Sequence, residues 1–219
     1  MNVRFSGDLD NDTSGILNEP GHADRANIFW HAGKISERHR QEQFGHRPAT
    51  VWMTGLSGAG KSTVAYELET LLQANAHPCF VLDGDNMRHR LNRDLGFSHG
   101  DRKENIRRAA EVARLMNEAG LIVVASFISP FREDRAMAQG IIGEERFIEV
   151  HVSASVDVCE SRDPKGLYAK ARSGKISDFT GITSPYEPPL KPALSLDTGK
   201  LSVEEAARKL YHRLAQCFV

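Results

Sequence analysis

Charge of one sign is what this sequence most lacks. Its 28 lysines and arginines stand against 29 aspartates and glutamates, a formal net charge of −1. No bulk field therefore draws the chain toward a nucleic acid polymer or an anionic membrane, and an anionic substrate must be met by local clusters. Cysteine is scarce. Cys79, Cys159 and Cys217 are an odd number, far apart and outside CxxC spacing, which excludes a disulfide framework and a zinc site and fits a reducing compartment. No apolar run approaches the ~18 residues a membrane helix needs. The opening MNVRFSGDLDNDTSG has no cationic stretch followed by an apolar one, so no secretory signal is expected. The nine histidines form neither H-E-x-x-H nor a finger spacing and read as structural or surface groups. No internal repeat is present. What remains is an expected soluble, cytoplasmic protein of 219 residues, enough for one compact domain with a buried core.

Residues 1–26 are polar, Gly/Asp/Asn-rich and aperiodic, the composition of a disordered arm. Residues 34–44 are highly charged and suit a short exposed helix. Five β-rich apolar runs follow, at Thr50–Thr54, Cys79–Leu82, Leu121–Ile128, Arg146–Val152 and Ala193–Leu196. Several are too continuously apolar for a sheet with one wet face, which points to buried parallel strands. Helical stretches separate them. Over 101–119, Ile106, Ala109, Ala110, Ala113 and Met116 recur on one face, with Ser98 and Asp101 in capping-box spacing ahead of them. A final helix over about 202–216 opens with Ser202 and Glu205 in the same spacing. Alternating strands and helices make a three-layer α/β domain, here 27–219, whose ligands sit beyond the carboxyl ends of the strands.

The first strand runs into Gly55, Leu56, Ser57, Gly58, Ala59, Gly60, Lys61, Ser62 and Thr63, which satisfy G-x-x-x-x-G-K-[ST]. Such a loop wraps phosphate oxygens with backbone N–H groups, and the helix after it, about 61–74, points its positive end at the same anion. Lys61 would reach the β- and γ-phosphates of a nucleoside triphosphate, and the Ser62 hydroxyl would hold Mg²⁺. The motif does not say how the nucleotide is used. N-K-x-D and D-x-x-G strings are absent, and the third strand ends in ASFISPF, with serines where a hydrolase usually has a metal-binding aspartate. That argues against a GTPase switch. A pure ATP-binding regulatory module would leave the polar clusters farther along without a role.

Those clusters lie where an acceptor belongs. LDGDNMRHRLN places Asp83 and Asp85 directly beyond the second strand, with Arg88 three residues on: a carboxylate for a hydroxyl beside a cation for an anion. In LGFSHGDRKENIRR, Arg102 and Asn105 share one helix side near its N-terminus and suit a sulfate- or phosphate-bearing nucleotide, while Arg107 and Arg108 read as a solvated face. FISPFR brings Ile128 and Ser129 to the tip of the third strand. The segment of about 161–190 interleaves Arg162, Lys165, Lys170, Arg172 and Lys175 with Gly and Pro, the composition of a mobile basic lid that excludes water from a transfer reaction.

With NIFWH, GHR, GLSGAGKST, LDGDNMRHRLN, LGFS, DRKENIRR, FISPFR, RDPKGLY and FTGITSPYEPP in order over about 27–200, the sequence resembles the adenylylsulfate kinases. The resemblance implies a P-loop kinase fold with a parallel sheet of about five strands. It implies transfer of the γ-phosphoryl of ATP to the 3′-hydroxyl of adenosine 5′-phosphosulfate (APS), with Mg²⁺, for sulfate assimilation. It assigns Asp85, Arg88, Arg102, Asn105, Ile128 and Ser129 to APS, with Phe97 and Phe179 stacking its adenine, and the aspartate pair and the basic segment add Asp83 and Lys165 as expected substrate contacts. Lys61, Asp85 and Ser129 become the catalytic set; Ser129 has been read in the family as a phosphoserine intermediate, but direct transfer is the expectation here. A homodimer, and an association with ATP sulfurylase, come with the resemblance. Two positions depart from it: Arg90 replaces an expected glycine and Thr183 an expected aspartate. A kinase for another small nucleotide, or a nucleotide-regulated subunit of a sulfate-activating complex, stays open at this point.

Overall fold

The computed structural model describes Phe29, His31 and residues 33–216. The chain divides at Lys34/Ile35, and the architecture below is that of the larger unit. The expectation for residues 1–26, and Cys217, lie outside the described residues.

Five strands, β1 (Thr50–Thr54), β2 (Cys79–Asp83), β3 (Ile122–Ser126), β4 (Phe147–Ser153) and β5 (Leu194–Asp197), form one sheet in the order β2-β3-β1-β4-β5. Every pairing is parallel. The central strands β1 and β3 are buried along their whole length, as their unbroken apolar runs require. Alternate side chains of β1 serve two cores. Val51 and Met53 pack with Val64, Leu68 and Leu72 of α2 (Lys61–Ala74) and Leu210 and Leu214 of α8 (Val203–Ala215). Trp52 turns to the other face, stacking on Phe127 at 5.3 Å, among Ile106, Ala109 and Ala113 of α4 (His99–Glu118) and Ala138 of α5 (Arg132–Ile142). Truncating a wholly buried anchor such as Leu68 costs about 2–5 kcal/mol, because the transfer term and the cavity term add.

Helix ends follow their chemistry. The Ser98 hydroxyl accepts from Asp101 N–H at 3.2 Å, and Ser202 with Glu205 makes the full reciprocal box. A short α1 (Glu37–Phe44) buries no residue and is tied to the domain by Glu37 and Arg146 at 2.7 Å. The third strand is shorter than its apolar run: it ends at Ser126, the Phe127 N–H still donates to the Met53 carbonyl at 3.2 Å, and Ile128–Ser129 then leave the ladder. There the Thr54 hydroxyl donates to the Ile128 carbonyl at 2.7 Å, so a side chain replaces the next ladder bond.

The basic segment is more structured than its composition suggests. Beyond α6 (Val156–Arg162) it contains α7 (Leu167–Arg172) and a hydrogen-bonded turn in which the Gly181 and Ser184 N–H groups reach Ser184 and Phe179 carbonyls. The reason is local. The Asp163 carboxylate accepts from the N–H groups of Leu167, Tyr168 and Ala169, supplying the α7 start that Gly166 cannot. Tyr168 and Phe179 are then buried against each other, ring centroids 4.9 Å apart.

Candidate active site

The glycine-rich loop joins β1 to α2. Gly58 has φ 78°, and a Cβ on it would meet the Cys159 carbonyl at 2.8 Å. Only glycine allows this approach. Gly60 (φ 88°) opens α2 without any side-chain cap, and no acidic residue stands in the first turn. The helix N-terminus is therefore presented for an anion. The Lys61 ammonium donates to the Gly55 and Leu56 carbonyls at 2.9 and 2.8 Å. Burial brings its pKa down to about 8, against opposing pulls that include Asp83 and Asp85.

Asp83 and Asp85 separate into two roles. Asp83 caps the short α3 (Gly84–His89), its Oδ1 accepting from Asp85 and Asn86 N–H at 3.0 and 3.3 Å. Its Oδ2 accepts from the Ser62 hydroxyl at 2.6 Å, and Ser126 Oγ lies 3.3 Å from Ser62. Asp85 caps nothing. Its exposed carboxylate forms an ion pair with Lys165, which the basic segment brings across.

Arg88 and Arg102 converge on Phe97, with guanidinium carbons 4.6 Å and 5.9 Å from the ring centroid, within range of a cation–π attraction. Arg88 donates to the Leu95 and Gly96 carbonyls. Arg102 donates to the Phe97 carbonyl at 2.8 Å and reaches the basic segment at the Asp178 carbonyl (2.6 Å) and the Thr180 hydroxyl (3.2 Å). Asn105 is buried, its Oδ1 accepting from Asn92 Nδ2 at 2.9 Å. Phe97 is open to solvent, whereas Phe179 is covered and packed on Tyr168.

Ser129 is bent. Its φ of +36° is outside the usual range for a residue with a side chain, a strain of about 1–3 kcal/mol that neighbours must hold. The Trp52 indole N–H donates to its hydroxyl at 3.2 Å, and Thr54 and Arg135 donate to its carbonyl at 3.2 and 2.7 Å.

Among the residues assigned to the lid, the cations do not act alike. Arg162 sits against the phosphate loop, donating to the carbonyls of Gly58 and Thr198. Arg172 pairs with Glu160 at 2.9 Å, and Lys165 alone reaches Asp85. Arg107 and Arg108 spend their donors on Glu104 and Asp94; Arg107 is solvent-exposed, as expected, whereas Arg108 is half-buried. Of the two departures, Arg90 closes α3 with φ −128° and ψ −94°, and the Thr183 hydroxyl accepts from Phe179 N–H at 2.9 Å. Sequence reasoning missed Asp163, Arg135 and Tyr168. Tyr168 donates to the Ser57 carbonyl at 2.9 Å. Only the D-P-K-G string, an Asx-Pro turn signal before a helix, pointed toward one of them.

A family model described as adenylylsulphate kinase matches residues 47–197. The chain belongs to the adenylylsulfate kinase family. It is 52% identical over 191 residues to a probable adenylyl-sulfate kinase of Halalkalibacterium halodurans, covering 87% of this chain and 95% of that one. It is 53% identical over 180 residues to the adenylyl-sulfate kinase of Geotalea uraniireducens, covering 82% and 86%. Among solved structures it is similar to the Mycobacterium tuberculosis APS kinase in complex with AMPPNP and APS, with TM-score 0.75 and 48% identity over 78% of this chain and 99% of that one. Of the readings left open by the residues, the family decides for the enzyme: an ATP-dependent adenylylsulfate kinase of sulfate assimilation on a P-loop fold.

Proposed function

We propose that phosphoryl transfer in this adenylylsulfate kinase is direct, with Asp85 orienting and deprotonating the 3′-hydroxyl of APS while Lys61 and the phosphate loop hold the γ-phosphoryl of ATP in line. The observation that carries it is the division between two neighbouring aspartates: Asp83 is consumed by a helix cap and Ser62, whereas Asp85 presents a solvent-exposed carboxylate whose partner is the Lys165 ammonium. Arg88, Arg102 and Asn105 would meet the anion and nucleotide of APS, with Ile128 and Ser129 beside them. Phe97 supplies an open ring for the adenine, and Phe179 would close on it from the basic segment. That segment would open and shut as a lid through Arg102, Lys165 and Tyr168.

The donor set beside the loop, one hydroxyl and one carboxylate, suits Mg²⁺, which keeps waters and phosphate oxygens as its other ligands. Ser62 would hold the ion, with Asp83 behind it, and the ion would neutralise charge on the β- and γ-phosphates. No group of three or more His, Cys, Asp or Glu side chains that could hold a metal occurs among the described residues, and a nucleotide-borne ion requires none. No helix there is long and apolar enough to cross a membrane. A cytoplasmic site of action accords with Cys79 and Cys159 as buried free thiols. A homodimer, and association with ATP sulfurylase, extend the reading, and sedimentation of the purified chain with and without sulfurylase tests both.

The decisive measurement is coupled ADP release with APS against a panel of nucleoside monophosphates. APS is expected to be strongly preferred. Equal or faster turnover of AMP or adenosine would sink the assignment.

A further inference from the structure

Arg135 is the most thoroughly engaged buried cation of the described residues. Its side chain is 2% exposed, and three nitrogens serve three separate parts of the chain. Nε meets Glu149 of β4 at 2.6 Å, Nη1 the Ser129 carbonyl at 2.7 Å, and Nη2 the Glu187 carbonyl at 2.8 Å. Only a planar fork with several donors spans such a set; a lysine ammonium reaches fewer of them in fixed directions.

The two carbonyls belong to segments that the site needs in register. Ser129 carries the left-handed bend at the end of β3, and Glu187 is where the basic segment rejoins the domain. Further bonds run along the same seam: Glu187 N–H to the Pro130 carbonyl at 2.8 Å, Arg132 N–H to the Glu187 carboxylate at 2.9 Å, and Arg132 Nε to the Pro188 carbonyl at 2.9 Å. Thr54 joins it from the phosphate-loop strand, its hydroxyl 3.1 Å from that of Tyr186 and 3.2 Å from the Ser129 carbonyl. The exit of the basic segment and the bend at Ser129 thus share one hydrogen-bonded unit with Arg135 at its centre.

We propose that Arg135 is a positioning residue for the transfer reaction, locking the Ser129 bend to the exit of the lid at Glu187 so that the acceptor side is assembled only when the lid is seated. It touches neither substrate. It acts through the Ser129 backbone, and the proposal rests on the assignment of Ser129 to the acceptor side.

The test compares Arg135→Lys with Glu149→Gln in the full chain, with ATP and APS titrated separately. Arg135→Lys keeps a cation beside Glu149 but gives up at least one carbonyl bond. Its KM for APS should rise and its kcat fall by about 10-fold each, the scale of one lost charge-assisted bond, with KM for ATP within about twofold. Glu149→Gln keeps an acceptor for Nε and both carbonyl bonds, so its KM for APS should stay close to that of the parent. Equal losses in the two variants, tracking their melting temperatures, would reduce Arg135 to a buried ion pair and overturn the proposal. So would an Arg135→Lys enzyme that folds and keeps both APS parameters. A defect confined to KM for ATP would refute it too, and would locate Ser129 on the wrong side. Failure of the adenylylsulfate kinase reading itself is separate: the parent enzyme would then show no ADP release stimulated by APS.

Discussion

Lys165 and Asp85, 80 positions apart in the chain, form an ion pair across the mouth of the site, with both side chains more than half exposed. A pair so open to water adds little to stability. Its consequence is positional: a lysine of the basic segment lies on the carboxylate proposed to receive the 3′-hydroxyl. On the proposed reading, APS seated between them would exchange one partner for another. Asp85→Asn should lower kcat by ~10²–10⁴, the scale of a positioned general base. Lys165→Ala should act mainly on KM for APS. Similar kcat losses in the two variants would contradict the division of labour.

Lys61 gives a pH dependence with a definite sign. Burial lowers its pKa to about 8, while the triphosphate favours the charged form. Binding of ATP should therefore take up a proton as pH rises through 8, and affinity should fall toward tenfold per unit above it. Calorimetry in two buffers of different ionisation enthalpy measures the uptake. An affinity flat from pH 7.5 to 9.5 would contradict it. Lys61→Ala should abolish transfer outright.

Arg102 donates to the Asp178 carbonyl and the Thr180 hydroxyl of the basic segment, and is the guanidinium proposed to meet APS. Arg102→Ala should weaken APS by roughly 10- to 150-fold, the loss of ~1.5–3 kcal/mol expected for a charge-assisted contact, and leave ATP nearly untouched. If KM for ATP rose instead, the acceptor site would be misplaced.

Ser129 separates direct transfer from a covalent relay. Its hydroxyl already accepts from Trp52, and no carboxylate of the described residues is among its hydrogen-bond partners. Ser129→Ala should retain turnover, down about 10-fold for one lost hydrogen bond of ~1–1.5 kcal/mol. Chiral γ-phosphorothioate should show inversion. Net retention, with an inactive alanine variant and phosphate trapped on Ser129, would establish the relay.

Asp134, in the first turn of α5, is wholly buried, and neither carboxylate oxygen has a hydrogen-bond partner among the described residues. Burial raises its pKa above the ordinary 3.8. The folded state then holds its proton more tightly than the unfolded chain does, so stability is lost as pH rises through 3.8 and beyond. Asp134→Asn should raise the melting temperature at pH 7, with the gain vanishing at acid pH. Destabilisation at pH 7 would show that the charge is wanted there.

What the sequence determined by itself was local. The spacing of Gly55, Gly60, Lys61 and Ser62, the apolar runs of β1 and β3, and the Ser202–Glu205 box each act over a few residues, so composition and period suffice to read them. The roles of Asp83 and Asp85 were not legible that way. They are two residues apart and chemically alike; what separates them is that Ser62 and the α3 N–H groups claim one, while Lys165, far along the chain, comes to the other. The same holds for the basic segment, whose five cations looked equivalent until folding set Arg162 against the phosphate loop and Arg172 on Glu160. Arg135 is the clearest case. On paper it was one more charge in REDR. Burial forbids a lone charge and demands partners for every donor, and that made it the centre of a seam between Ser129, Glu149 and Glu187.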